Sequence, residues 1–141
     1  MNAAFFDTNI VFYAADSDCD EPHKRDYARQ LLQTRNITVS TQVMMEIYAA
    51  LRKQLHYGPD EAHHWVETLK GENVVALSAN DVSEAILMAR RFDISHWDSL
   101  ILRAASNAGL DVVYSEDMSH GQTYGSVRVC NPFIEDFLAA A

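Results

Sequence analysis

The sequence predicts an α/β fold: one domain with a central, mostly parallel five-stranded sheet flanked by helices on both faces. Three observations carry that expectation. Short, partly β-branched apolar runs alternate with longer amphipathic ones along the chain. At 141 residues and 48% hydrophobic side chains, there is enough apolar surface for one good core and too little length for two. Turn and capping residues fall between these runs, where an alternation of strand and helix needs them.

The elements follow in order. AAFF (3–6) is the first strand, with a helical segment at about 9–15. Glu21-Pro22 opens a helix over 21–35, since a first-turn proline gives up an N–H that has no helical partner anyway. ITVS (37–40) is the second strand and leads into a helix over 41–57, which Gly58-Pro59 separates from the next at 59–69. NVVAL (73–77) is the third strand, and Ser78 or Asn80 caps a helix over 79–92. A helix over 95–108 ends at Gly109, and DVVY (111–114) and SVRVC (126–130) complete the sheet. Pro132 breaks the pattern, so the domain is expected to occupy 1–133, with 134–141 as a tail or short helix.

Composition excludes several classes. No apolar run approaches the roughly 20 residues that span a bilayer, and the N-terminus has no basic segment followed by an apolar block, so a cytoplasmic protein without a membrane partner is expected. Cys19 and Cys130 lie in unrelated contexts without metal-ligand spacing. A net charge of -9 argues against binding nucleic acid by blanketing phosphates with Lys and Arg. Any such contact has to be local or metal-assisted. The basic pairs Lys24-Arg25, Arg52-Lys53 and Arg90-Arg91 read as solvated helix faces.

Four acids stand out against this frame. Asp7 directly follows the first strand, on the rim where open parallel sheets bind ligands, although an Asp there also suits a helix N-cap. Asp117, in SEDMSHG (115–121), follows DVVY in the same way, and turn chemistry explains it equally well by itself. Asp98 shares a helical face with Ile101, Leu102 and Ala105, while Ser95-His96-Trp97-Asp98 also fits a capping box. Glu46 borders the apolar stripe 43, 47, 50 and 51. Together, two rim acids and two near helix starts form a candidate pocket. Carboxylates crowded there take up protons unless a cation neutralises them, and hard Mg²⁺ or Mn²⁺ prefers such oxygen ligands. A site of this kind activates water against a phosphodiester.

FDTNI (6–10), the helical Glu46, HWDSLIL (96–102) and SEDMSHG (115–121), in that order, resemble the PIN-domain nucleases, and more narrowly the VapC-like toxins of bacterial toxin–antitoxin pairs. The similarity extends to Asn131-Pro132-Phe133. The resemblance implies that Asp7, Asp98 and Asp117 bind one or two Mg²⁺ or Mn²⁺ ions, that Glu46 completes the acidic set, and that the ions direct water onto RNA. It also implies supporting roles for the hydroxyls of Thr8 and Ser115, a cognate antitoxin that wraps the chain and blocks the site, and a homodimer. Trp97 stands where the family often has Tyr, and Ser115 where Thr is commoner.

His120, three residues after Asp117, is a candidate for touching the scissile group. The aromatics Phe12, Tyr13, Tyr48, Trp65 and Trp97 fall at helical spacings that favour the core over a contact surface. Two rivals to a nuclease remain. A haloacid-dehalogenase-like phosphatase needs a second Asp two residues after the first, and Asn9 stands there. A catalytically idle module would use its acids only to cap helices or attract a basic partner.

Overall fold

The computed structural model describes residues 3–138. The chain runs β1 (Ala3–Phe6), α1 (Thr8–Ala15), α2 (Pro22–Thr34), β2 (Asn36–Ser40), α3 (Thr41–Lys53), α4 (Pro59–Lys70), β3 (Asn73–Val75), α5 (Ala79–Phe92), α6 (His96–Asn107), β4 (Val112–Tyr114), β5 (Thr123–Tyr124) and β6 (Val127–Cys130). The strands lie in the order β3-β2-β1-β4-β6-β5. All pairings are parallel except β5 with β6.

This order dictates the layers. From β1 the chain steps outward to β2 and then β3, and right-handed crossovers place α1 to α4 on one face. It then returns past β1 to β4, which reverses the direction of travel and puts α5 and α6 on the other face. The contacts agree: α1 packs on α2 and α3, α3 packs on α4, and α6 lies across β2, β4 and β6 with α5 beside it. Central strands are consequently buried on both sides, as Phe5, Phe6, Val39, Val113 and Val129 are.

The sheet has six strands where five were expected. The addition, β5, is a two-residue edge strand joined to β6 by the loop Gly125-Ser126. Gly125 adopts φ 61°, the left-handed conformation that tight hairpin turns require. Two residues are too few to show an alternating pattern in sequence. The helix beginning at Thr41 also stops early, at Lys53: His56 turns the chain at φ 57° and the Tyr57 N–H returns to the Leu51 carbonyl at 3.0 Å.

Caps fall where anticipated. Ser78, not Asn80, caps α5 and forms a reciprocal box with Asp81, whose carboxylate also accepts from Arg103 and Asn107 on α6. Residues 131–138 form turns, without a helix. There the Tyr27 hydroxyl donates to Asp136 and accepts from the Phe137 and Leu138 N–H groups, while Arg35 donates to the Phe137 carbonyl. The last part of the expected tail, 139–141, lies outside the described residues. No described helix is long and apolar enough to cross a membrane.

Candidate active site

The strand order reverses between β1 and β4, and open α/β sheets bind ligands in the crevice at that switch point, beyond the carboxyl ends of the strands. The ladder runs one residue past each strand: the Asp7 N–H donates to Tyr114 O at 3.0 Å and the Ser115 N–H to Cys130 O at 3.1 Å. Backbone pairing thus fixes Asp7 and Ser115 side by side. Asp7 also N-caps α1, accepting from the Thr8 N–H at 2.7 Å. Capping and a place at the rim coexist in one side chain.

A cleft of about 470 Å³ opens there, and Asp7, Glu46, Asp98 and Asp117 all line it. Glu46 reaches it from α3 and is held by the Thr8 hydroxyl at 2.8 Å. Asp98 arrives from the first turn of α6. The anticipated capping box is only half formed: Ser95 Oγ accepts from the Trp97 and Asp98 N–H groups, while the Asp98 carboxylate makes no hydrogen bond among the described residues and faces the cleft. Ser115, wholly buried, donates to Asp7 Oδ2 at 2.8 Å and accepts from the Asp117 N–H at 3.2 Å.

Asn9 joins these groups, although its side chain carries no charge to mark it in the sequence. Its Nδ2 lies 3.2 Å from Asp7 Oδ2 and 3.1 Å from Asp117 Oδ2, so one amide donates to two carboxylates. Its Oδ1 accepts from the Glu116 N–H at 3.1 Å. The signal available in sequence was its place two residues after Asp7, where an amide in the position of an acid argues against the phosphatase without pointing to a role of its own.

Electrostatics register the crowding. Burial, reinforced by Asp117 and Glu46, lifts Asp7 from the ordinary 3.8 to about 6, despite hydrogen bonds from Ser115 and Thr8 that favour the anion. Asp98 is also raised, by burial first and then by Asp117 and Glu46. Among the described residues no three His, Cys, Asp or Glu side chains are gathered closely enough to hold a metal ion as they stand. Donors from Asn9, Ser115 and Thr8 lie between the acids.

Two expectations change. His120 is turned away from the acids: its Nδ1 accepts from the Asn131 N–H at 2.9 Å and its Nε2 lies 3.4 Å from Glu135. Lys24 is not on a solvated face. Its ammonium meets Glu116 at 2.6 Å and Glu21 at 3.4 Å, 5.2 Å from the centre of the Tyr13 ring. Tyr13 donates to the same Glu116 at 2.8 Å, and the Glu116 contact holds the lysine above its usual range. α1 and α2 therefore grip the residue next to Asp117. Lys24→Met is expected to cost about 1.5–3 kcal/mol, the range for a charged hydrogen bond, with Lys24→Arg recovering most of it in urea denaturation.

An α/β sheet with carboxylates converging at its switch point defines a class of small acidic-site domains. The chain belongs to the PIN domain family, whose profile matches residues 4–125. Among solved structures it resembles Mycobacterium tuberculosis VapC20, described as a sarcin-ricin loop cleaving toxin, at 16% identity and TM-score 0.68, over 82% of this chain and 90% of that one. A toxin-antitoxin complex from Klebsiella pneumoniae gives 21% identity and TM-score 0.66, over 92% and 98%. FitAcB from Neisseria gonorrhoeae gives 16% and 0.61, over 92% and 98%. No curated protein sequence matches the chain.

Proposed function

We propose that this chain is a divalent-metal-dependent endoribonuclease, the toxin of a toxin–antitoxin pair acting in the cytoplasm. The observation that carries the reading is the shared cleft of Asp7, Glu46, Asp98 and Asp117 in a fold of toxin-like neighbours. The donor set fits Mg²⁺ or Mn²⁺: every ligand is a carboxylate oxygen, and Asp7 and Asp98 both have proton affinities raised by burial and then by the charges of Asp117 and Glu46. Asp7, Asp98 and Asp117 would hold one ion, and Glu46 would bind a second or orient the attacking water. Asp117 is exposed and Glu46 is long, so both have the rotamer freedom to close on a cation. Once bound, the ion lowers the pKa of water and offsets charge on the phosphodiester.

The chain's own residues do the positioning. Thr8 orients Glu46, Ser115 orients Asp7, and Asn9 ties Asp7 to Asp117. Exposed Val82, Ile86, Leu87 and Trp97 offer apolar surface for a second copy of the chain. Trp97, 59% exposed, thus departs from the core placement its helical spacing favoured. An apolar trough of about 580 Å³ between α3 and α4, lined by Met44, Met45, Tyr48 and Val66, suits a segment of the antitoxin.

Purified without a partner, the protein is expected to cut RNA in Mg²⁺ or Mn²⁺ and to stop in EDTA. Sequencing RNA ends after brief induction identifies the target. Cleavage that persists in excess chelator refutes the mechanism.

A further inference from the structure

The acidic cleft has a second end. Its wall on α3 is made by Gln42, Glu46, Ala49, Ala50 and Lys53, all on one face of the helix. Lys53 stands seven residues beyond Glu46, two turns and roughly 10 Å along the axis. Between them Ala49 and Ala50 leave the wall without bulk, and half-buried Phe12 from α1 also lines the cleft.

Lys53 is the one cation among the residues lining this cleft, in a chain with 20 acids and 11 Lys and Arg. It makes no ion pair among the described residues, whereas Lys24, Arg25, Lys70, Arg103 and Arg128 each face an acid. Its neighbour Arg52 already serves the end of α3, donating to the Tyr57 carbonyl at 2.9 Å. The cleft is therefore polarised: acids that suit a metal at one end, a free ammonium at the other, and a trough between.

We propose that Lys53 forms a phosphate-binding subsite for single-stranded RNA. It holds a backbone phosphate one or two nucleotides from the scissile bond, with Phe12 packing against the intervening base. This rests on the nuclease reading above and adds the direction in which the strand leaves the acids: along α3 toward its C-terminus. The contact is to the backbone, so it sets register without reading sequence.

The test compares wild type with Lys53→Gln, Lys53→Glu and Lys53→Arg on a 5′-labelled single-stranded RNA in Mn²⁺. Lys53→Gln is expected to raise KM about tenfold, the scale of one lost charged contact, and to move kcat far less. Lys53→Glu raises KM further and Lys53→Arg restores it. The slope of log affinity against log salt drops in magnitude by about 0.7, the single-strand value for one phosphate. Wild type that cuts RNA while Lys53→Gln keeps the same KM and salt slope overturns the subsite and leaves the nuclease reading standing. Wild type that neither binds nor cuts RNA overturns both.

Discussion

Asp7→Asn is expected to abolish RNA cleavage while making the metal-free protein more stable. Buried Asp7 has its folded pKa raised to about 6 from the ordinary 3.8. The folded state therefore binds the proton more tightly than the unfolded chain does. That advantage is complete below the unfolded value and is lost as pH rises through about 6, which leaves a cost of about 3 kcal/mol at neutral pH. An amide at this position removes the buried charge. It can still accept from the Thr8 N–H, though an NH2 in place of Oδ2 can no longer accept from Asn9 or from the Ser115 hydroxyl. The expected net gain is about 1–3 kcal/mol, a melting temperature several degrees higher for a domain of this size. Thermal melts in EDTA at pH 7.5 and pH 4.5 measure it, and the difference should shrink at the lower pH. A variant less stable than wild type at both values would show that the carboxylate is structural.

Divalent metal is expected to reverse the ranking. An ion at a hundred times its dissociation constant adds about 2.7 kcal/mol to the species that binds it, so Mn²⁺ should raise the wild-type melting temperature and barely move that of Asp7→Asn. If Asp7 is a ligand, as proposed above, the proton and the ion compete for it, and its folded pKa is about 6. The metal-induced change in melting temperature should consequently be small at pH 5, grow through pH 6 and level off above pH 7. A change that is constant across this range, or equal in both proteins, would place the ion elsewhere.

How far the sequence revealed this arrangement depends on the kind of signal each part left. β1, β2 and β4 bear apolar runs long enough to read, and α2 and α4 announce themselves with Pro22 and Pro59 in their first turns. The two-residue β5 left no periodicity, and the early stop of α3 rests on backbone geometry at His56 that no residue type signals. Asp7, Asp98 and Glu46 were visible as charges beside apolar runs, and Asp117 by its place just after a strand. Asn9 was not, because its importance lies in donating one amide to two carboxylates from opposite ends of the chain. Lys24 misled for a related reason: on α2 alone it looks solvated, and only the return of β4 brings Glu116 onto it.

The distance along the chain between partners also governs when the pocket comes into being. Ser115 reaches Asp7 across 108 positions, and Asp117 reaches Asn9 across the same span. β4, which brings both, is itself flanked by β6, ending at Cys130. During synthesis at roughly 5–20 residues per second, a growing polypeptide spends most of its time on the ribosome with the acids still apart. On the nuclease reading proposed above, such a chain cannot yet cut the message it is being read from, and competence arrives only when the last strands have paired.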